Sequence, residues 1–203
     1  MRPNRQAAPV DVDSAAFRKW FRFSKVTTET LEPLVVYHGG VDLIAKEPPV
    51  FQRSRSGKWG PGIYFTPWRA TAEDYAQYSE GGAVGAYYLR VENPLVIYAS
   101  GGDADAALGL TTAESAALRA GFGRRYIEEV GRARGFDGIF VAESGVREGA
   151  YVSPDKNVRE IVIWEPNQAK SATHNVGTFD PGNPDVTRNP GRRRSRRRSS
   201  RRK

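Results

Sequence analysis

Cysteine is absent from this 203-residue chain, so disulfides and thiolate chemistry are excluded and nothing marks an oxidising compartment. Histidine is scarce. His38 and His174 are the two present, neither at a zinc-like spacing from another soft ligand, and no metal is expected. Nowhere do roughly 18 apolar residues run together, the length needed to cross a bilayer, and Met1-Arg2-Pro3-Asn4-Arg5-Gln6 lacks the apolar run of a secretion signal. A soluble, cytoplasmic monomer with no membrane partner is the expectation. A Gly-x-Ser-x-Gly elbow is missing too, and two histidines leave little choice of base, which disfavours a serine nucleophile. The run Gly81-Gly82-Ala83-Val84-Gly85 has no strand-turn-helix context and is not read as a dinucleotide fingerprint.

The body of the chain also lacks an excess of positive charge, although the whole carries +8. Nine arginines and one lysine, with no acid, fall in residues 188–203, which leaves 21 basic against 23 acidic residues elsewhere. The segment Arg192–Lys203 has no apolar residue to offset the entropy of ordering and is expected to be disordered. Its charge density suits nucleic acid, because each neutralised phosphate releases a counterion whatever the base sequence.

What remains is long enough for one domain with a hydrophobic core. Residues 1–13 are expected to be flexible, 14–187 to form the domain, and 188–203 to be a tail. Ser14 caps a short helix with Phe17, Trp20 and Phe21 on one face. Leu34–Tyr37 reads as a central strand ended by two glycines and presenting His38. Residues 45–60 read as a loop. Thr71 is the expected cap of a helix holding Tyr75 and Tyr78, with Glu73 and Asp74 in its first turn. Ala86–Arg90, Pro94–Tyr98 and Gly138–Ala142 read as strands, Thr112–Ala120 as a short helix, and Arg124–Arg134 as the clearest helix, closed by Gly135. Glu160 opens a last strand after a hairpin around Gly145 and Gly149. Short strands outnumber helices and no β-α-β alternation dominates, so the fold class is α+β.

Three segments carry chemistry. Val35-Val36-Tyr37-His38-Gly39-Gly40 lies early, Glu160-Ile161-Val162-Ile163-Trp164-Glu165 lies late, and Gly62-Ile63-Tyr64-Phe65-Thr66-Pro67 lies between, with Tyr75 eleven residues after Tyr64. Aromatic faces, a histidine for a hydroxyl, a carboxylate, and a glycine whose backbone can approach a ligand closely suit a flat aromatic head on a sugar. In this order the segments resemble the His-Tyr-Glu class of ADP-ribosyltransferases, the poly(ADP-ribose) polymerases and diphtheria-type toxins among them. Phe17-Arg18-Lys19-Trp20-Phe21 with Ser24-Lys25-Val26, Pro166-Asn167-Gln168-Ala169-Lys170-Ser171 and Gly177-Thr178-Phe179-Asp180-Pro181 resemble, more narrowly, such domains in bacteriophages and mobile elements. The likeness runs from about Phe17 to about Val186.

The resemblance implies two packed, mainly antiparallel sheets flanked by short helices around an NAD cleft. It implies NAD as substrate, no second cofactor, and transfer of one ADP-ribose to an unknown macromolecular acceptor with release of nicotinamide. His38 would bind a ribose hydroxyl, the Gly39 backbone the nicotinamide carboxamide, Tyr64 and Tyr75 would sandwich the nicotinamide, and Glu160 would stabilise the charge that develops on the ribose. The family's carboxamide-binding serine, three residues before the second tyrosine, is Ala72 here, which leaves Gly39 alone or Thr71 for that contact and implies weaker nicotinamide binding. The position two before Glu160, tied to acceptor choice in related enzymes, is Val158. Arg53, Arg55 and Lys58 are candidates for the pyrophosphate, against a plain reading as solvated charges. NAD glycohydrolysis, with water as acceptor, and a catalytically inactive nucleic-acid-binding or virion protein keeping the fold remain as alternatives.

Overall fold

Twelve regular elements, none longer than eleven residues, make up the described part of the chain: α1 (Ala15–Phe21), β1 (Val36–Val41), β2 (Ile63–Phe65), α2 (Arg69–Ala76), β3 (Gly82–Leu89), β4 (Pro94–Tyr98), α3 (Ala104–Ala107), α4 (Thr112–Phe122), α5 (Tyr126–Ala133), β5 (Gly138–Ala142), β6 (Val158–Ile163) and β7 (Ala169–Ser171). The structure is a computed structural model and describes residues 10–98, 104–147, 151–175, 177 and 179–187. The arginine-rich tail and residues 1–9 lie outside the described residues, as does the part of the expected hairpin at Gly149. Val10 and Val12, inside the segment expected to be flexible, lie against the α1 aromatic cluster. No helix among the described residues is long and apolar enough to cross a membrane.

The strands form two sheets, ordered β1-β3-β7 and β2-β6-β5-β4, with every pairing antiparallel except β4 with β5. This is the α+β class read from the residues, in the arrangement of two mainly antiparallel sheets and short helices that the resemblance implied. The sheets meet where Tyr37, next to the start of β1, faces Thr66, just past β2, and the two residues exchange backbone hydrogen bonds of 2.8 and 2.9 Å. Between the sheets lies a core that includes Val36, Phe51, Phe65, Tyr87, Leu89, Phe140 and Ile161. On the far face of the larger sheet, Leu95, Ile97, Ile139, Val162 and Trp164 pack under α3 and α5 through Leu108, Tyr126 and Ile127. With cover on both faces, all five residues of β5 are buried, which is why Gly138–Ala142 reads as an unbroken apolar run.

Ser14 caps α1 as expected, its hydroxyl accepting the Phe17 N–H at 3.2 Å. Phe17, Trp20 and Phe21 bury against Tyr88 and Phe179 on the outer face of the smaller sheet. A capping box at Thr111 starts α4, which runs two residues past the expected end at Ala120. α5 begins after a 3-10 turn at Gly123–Arg125, and Gly135 follows it with φ +85°.

Three readings need correction. The strand at His38 does not end at the glycines: β1 spans Val36–Val41, and His38 is its third residue, on an edge strand of the smaller sheet. β3 begins at Gly82, four residues before the expected Ala86, because its small residues pair with β1: Gly39 faces Val84, Gly40 faces Ala83 and Val41 faces Gly82. The helix of Tyr75 begins at Arg69, not after Thr71. Trp68 stands in extended conformation before it without a side-chain cap, Glu73 pairs with Arg69 one turn back at 2.9 Å, and Tyr78 falls beyond its end. Only Thr66-Pro67-Trp68 separate β2 from α2, so the tertiary junction sets the helix start rather than a capping hydroxyl.

The glycines of β1 have a packing reason. An added Cβ at Gly39 would lie 1.8 Å from the Ala72 carbonyl oxygen, so α2 rests directly on the strand backbone. The expected outcome for Gly39→Ala is a loss of about 1–3 kcal/mol of stability in urea unfolding, the usual scale of overpacking. In the last turn of α4, by contrast, a Cβ at Gly121 meets nothing within 4 Å. Gly121→Ala should therefore stabilise by roughly 0.5–1 kcal/mol.

Candidate functional site

Beside the Tyr37–Thr66 junction the two sheets diverge and leave a cleft of about 640 Å³. β1 and α2 form one wall, β2 and β6 the other, and the loop of residues 51–62 closes one end. His38, Gly39, Tyr64, Tyr75 and Glu160 all line it. They come from four elements spread over more than a hundred residues of sequence, and the fold brings these five together.

His38 points between the sheets, with its ring against the edges of Phe51 and Phe65 at 5.1 and 5.5 Å between centroids. Its Nδ1 lies 2.7 Å from the Tyr64 carbonyl oxygen. A carbonyl can only accept, so Nδ1 carries the proton and Nε2 is left as an acceptor. Burial pushes the imidazole below its ordinary value of 6.5, partly opposed by the Tyr64 bond, so the ring is neutral at pH 7. A second cavity of about 310 Å³ begins at the same histidine and is lined by Asp42, Arg69, Thr173 and His174 among others.

Tyr64 is half-buried on β2. Its hydroxyl donates to the Gly60 carbonyl at 2.5 Å and accepts the Trp59 N–H at 3.2 Å. Burial, foremost, pushes the phenol up to about 12. A side chain at Gly57 would sit 1.9 Å from that hydroxyl, so glycine is required where the loop crosses the ring. Tyr75, near the end of α2, is 59% exposed and presents an uncovered ring to the cleft. Ala72 and Thr71 line the same wall, but the Ala72 carbonyl turns toward Gly39.

Glu160 is the third residue of β6, not the head of the strand. Its placement depends on a bulge. Val141 pairs with Glu160 and Ala142 with Val158, so Arg159 has no partner across the ladder. An extra residue of this kind re-aims neighbouring side chains, and Arg159 and Glu160, adjacent in sequence, both line the cleft. Val158 is fully buried, out of reach of any acceptor. Arg159 and Glu143 stand at the cleft wall instead.

The carboxylate of Glu160 has one partner that the sequence reading missed. The Trp59 indole N–H donates to its Oε2 at 2.7 Å. A signal was present: a tryptophan is out of place in the polar, glycine-rich run Arg53-Ser54-Arg55-Ser56-Gly57-Lys58-Trp59-Gly60, and it is 8% exposed. Burial raises the Glu160 carboxyl above its ordinary value, while the Trp59 bond, Arg159 and Lys58 pull the other way. The loop cations divide. Arg53 pairs with Glu128 and so braces the loop against α5, Arg55 is exposed, and Lys58 lines the cleft with its ammonium over the Trp59 ring. His174 is exposed. No group of three or more His, Asp or Glu among the described residues could hold a metal ion.

No curated protein matches the chain. A family model described as "ADP-Ribosyltransferase in polyvalent proteins" matches residues 29–179, a span that holds the whole cleft and leaves α1 and the C-terminal residues outside it. That match covers most of the chain and agrees with the two-sheet fold and its cleft, and the chain belongs to this family of ADP-ribosyltransferase domains.

Proposed function

We propose that the chain is an NAD-dependent mono-ADP-ribosyltransferase that modifies a macromolecular acceptor and releases nicotinamide. The observation that carries this reading is the convergence of His38, Tyr64, Tyr75 and Glu160 on one cleft of suitable size. The two cavities that share His38 suit a ligand with two nucleoside halves. In this reading the nicotinamide lies between the Tyr64 and Tyr75 rings, with its carboxamide on the Gly39 backbone, and a ribose hydroxyl donates to Nε2 of His38. The bond from the ribose anomeric carbon to the nicotinamide nitrogen breaks, and its electron pair leaves with neutral nicotinamide. Positive charge then spreads over the sugar. The fixed Glu160 carboxylate stabilises that state more than the ground state, and a proton from the acceptor passes to it as the acceptor attacks. Occurrence of the family in polyvalent proteins supports a phage or mobile-element origin and action in the cytoplasm of a bacterial host.

We further propose that Arg192–Lys203 holds the enzyme on nucleic acid or on acceptors bound to it, since ten cations without an acid fall in residues 188–203.

Nicotinamide release from NAD, with and without bacterial lysate, tests the reading: release stimulated by lysate with label retained on macromolecules marks transfer, and release indifferent to lysate marks glycohydrolysis. In Glu160→Gln, kcat should fall by roughly 10²–10³ with the KM for NAD little changed, the scale for one preorganised electrostatic group. Activity within about threefold of the parent would remove Glu160 from the mechanism.

A pH experiment on the same variant reads stability. Because burial raises the Glu160 carboxyl, the folded protein keeps a proton that the unfolded chain has already released, and ionisation destabilises the fold as pH rises above the ordinary value of 4.5. Glu160→Gln removes that charge and keeps an acceptor for Trp59. Its Tm should exceed that of the parent at pH 7, with the gap closing on acidification below 4.5; a gap independent of pH would show that the carboxylate is not destabilised by its site.

Deleting residues 188–203 should leave Tm and nicotinamide release unchanged while abolishing a salt-sensitive, sequence-independent affinity for DNA and RNA. Equal affinity of the two forms in a salt titration would refute a nucleic-acid role for the tail.

A further inference from the structure

We propose that Trp59 is a positioning residue for Glu160: its indole N–H, carried on an immobilised loop, holds one carboxylate oxygen and leaves the other free to face the substrate. The inference rests on the transferase reading for its catalytic consequence, though not for the contact itself. An indole N–H can only donate, and burying it without a partner costs free energy. Trp20 and Trp164 bury theirs without one, whereas Trp59 places its own 2.7 Å from Glu160 Oε2.

The backbone of Trp59 is fixed from several sides. Its N–H is accepted by the Tyr64 hydroxyl, which also donates to the carbonyl of Gly60. The Arg124 guanidinium holds the carbonyl of Lys58, and Arg53 pairs with Glu128. Ser54 and Gly62 exchange backbone hydrogen bonds of 2.8 and 3.3 Å across the base of the loop. Gly60 has φ +94°, and a Cβ there would approach the Arg124 carbonyl oxygen to 2.6 Å, so a larger residue is not accommodated. The donor therefore needs no reorganisation when charge develops nearby, the condition under which a single hydrogen bond orients a reacting group. Tyr64 gains a second task. Besides offering a ring face, its hydroxyl seats the tryptophan that seats the carboxylate.

A hydrogen bond to the ionised form also opposes the effect of burial on Glu160. The other titratable groups lining the cleft are Tyr37 and His38 of β1, Lys58 of the loop, Tyr64 of β2, Tyr75 of α2, Glu143 beyond β5 and Arg159 of β6. None of these changes in Trp59→Phe, which keeps the ring in place and deletes the donor.

In the full-length protein, Trp59→Phe should lower kcat for nicotinamide release about tenfold, the scale for one hydrogen bond to a charged group, with the KM for NAD within about threefold of the parent. The acidic limb of the kcat–pH profile should move to higher pH, because Glu160 loses a partner for its ionised form. A readout independent of activity is the indole N–H resonance, assigned by its loss in Trp59→Phe, which should move as Glu160 ionises and stay constant over the same pH range in Glu160→Gln. Trp59→Phe with a lowered Tm but unchanged kcat and pH profile would reduce Trp59 to a structural role. An indole resonance that does not titrate, or titrates alike in Glu160→Gln, would overturn the contact itself. If the parent protein releases no nicotinamide, the transferase reading falls and the indole titration alone decides this inference.

Discussion

Two reciprocal backbone hydrogen bonds between Tyr37 and Thr66 hold the two sheets together, and the site depends on that junction. One residue further along β1, His38 reaches with its Nδ1 the carbonyl of Tyr64, two residues before Thr66. The strand ladder thus fixes both the distance between the two segments and the tautomer of the histidine. β6 pairs with β2 on the other side, which brings Glu160 to the same cleft without any direct contact with His38. A change in register at the junction would move every cleft-lining side chain of β1 to the opposite face of its sheet, because successive side chains on a strand alternate.

Close backbone approach and a broken ladder then shape the cleft. Gly39 lets α2 rest on β1, Gly57 lets the loop cross the Tyr64 hydroxyl, and the bulge at Arg159 turns two consecutive residues into the same space. Each device costs something locally. Glycine in a strand contributes no side-chain packing, and a bulge forfeits ladder pairing. The losses are offset by the aromatic cluster of α1 with Tyr88 and Phe179 and by the apolar layers on both faces of β5. A half-buried carboxylate is the larger burden, and it is met by one indole donor and two nearby cations rather than by an ion pair.

The loop of residues 51–62 connects these themes. Arg53 through Glu128 to Arg132 and Glu165 forms a chain of charge pairs that ties the loop to α5 and to the end of β6. The Arg132 guanidinium also lies over the Trp164 ring, so the brace is anchored in the core of the larger sheet. A segment that reads as a loop is in this way tied to the core, and its tryptophan donates to Glu160.

Much of the architecture was legible from local signals. β-Branched and aromatic runs marked Pro94–Tyr98 and Gly138–Ala142 to the residue, an apolar stripe marked α5, and the order of His-Gly, Gly-Ile-Tyr-Phe and Glu before an apolar strand pointed, through the family resemblance, to five of the residues that line the cleft. These signals sit within a few neighbours in the chain, where hydrophobic periodicity and turn chemistry act. The extension of β1 and β3 through their glycines, the start of α2 at Arg69, the bulge at Arg159 and the bond from Trp59 to Glu160 were decided only by the tertiary structure. Each depends on a partner far away in sequence: small residues facing small residues, a helix seated on a strand, a ladder with one residue too many, and a donor and acceptor 101 residues apart. A single sequence carries the residue types that allow such contacts, but the contacts arise only when the packed sheets bring the partners within hydrogen-bonding distance.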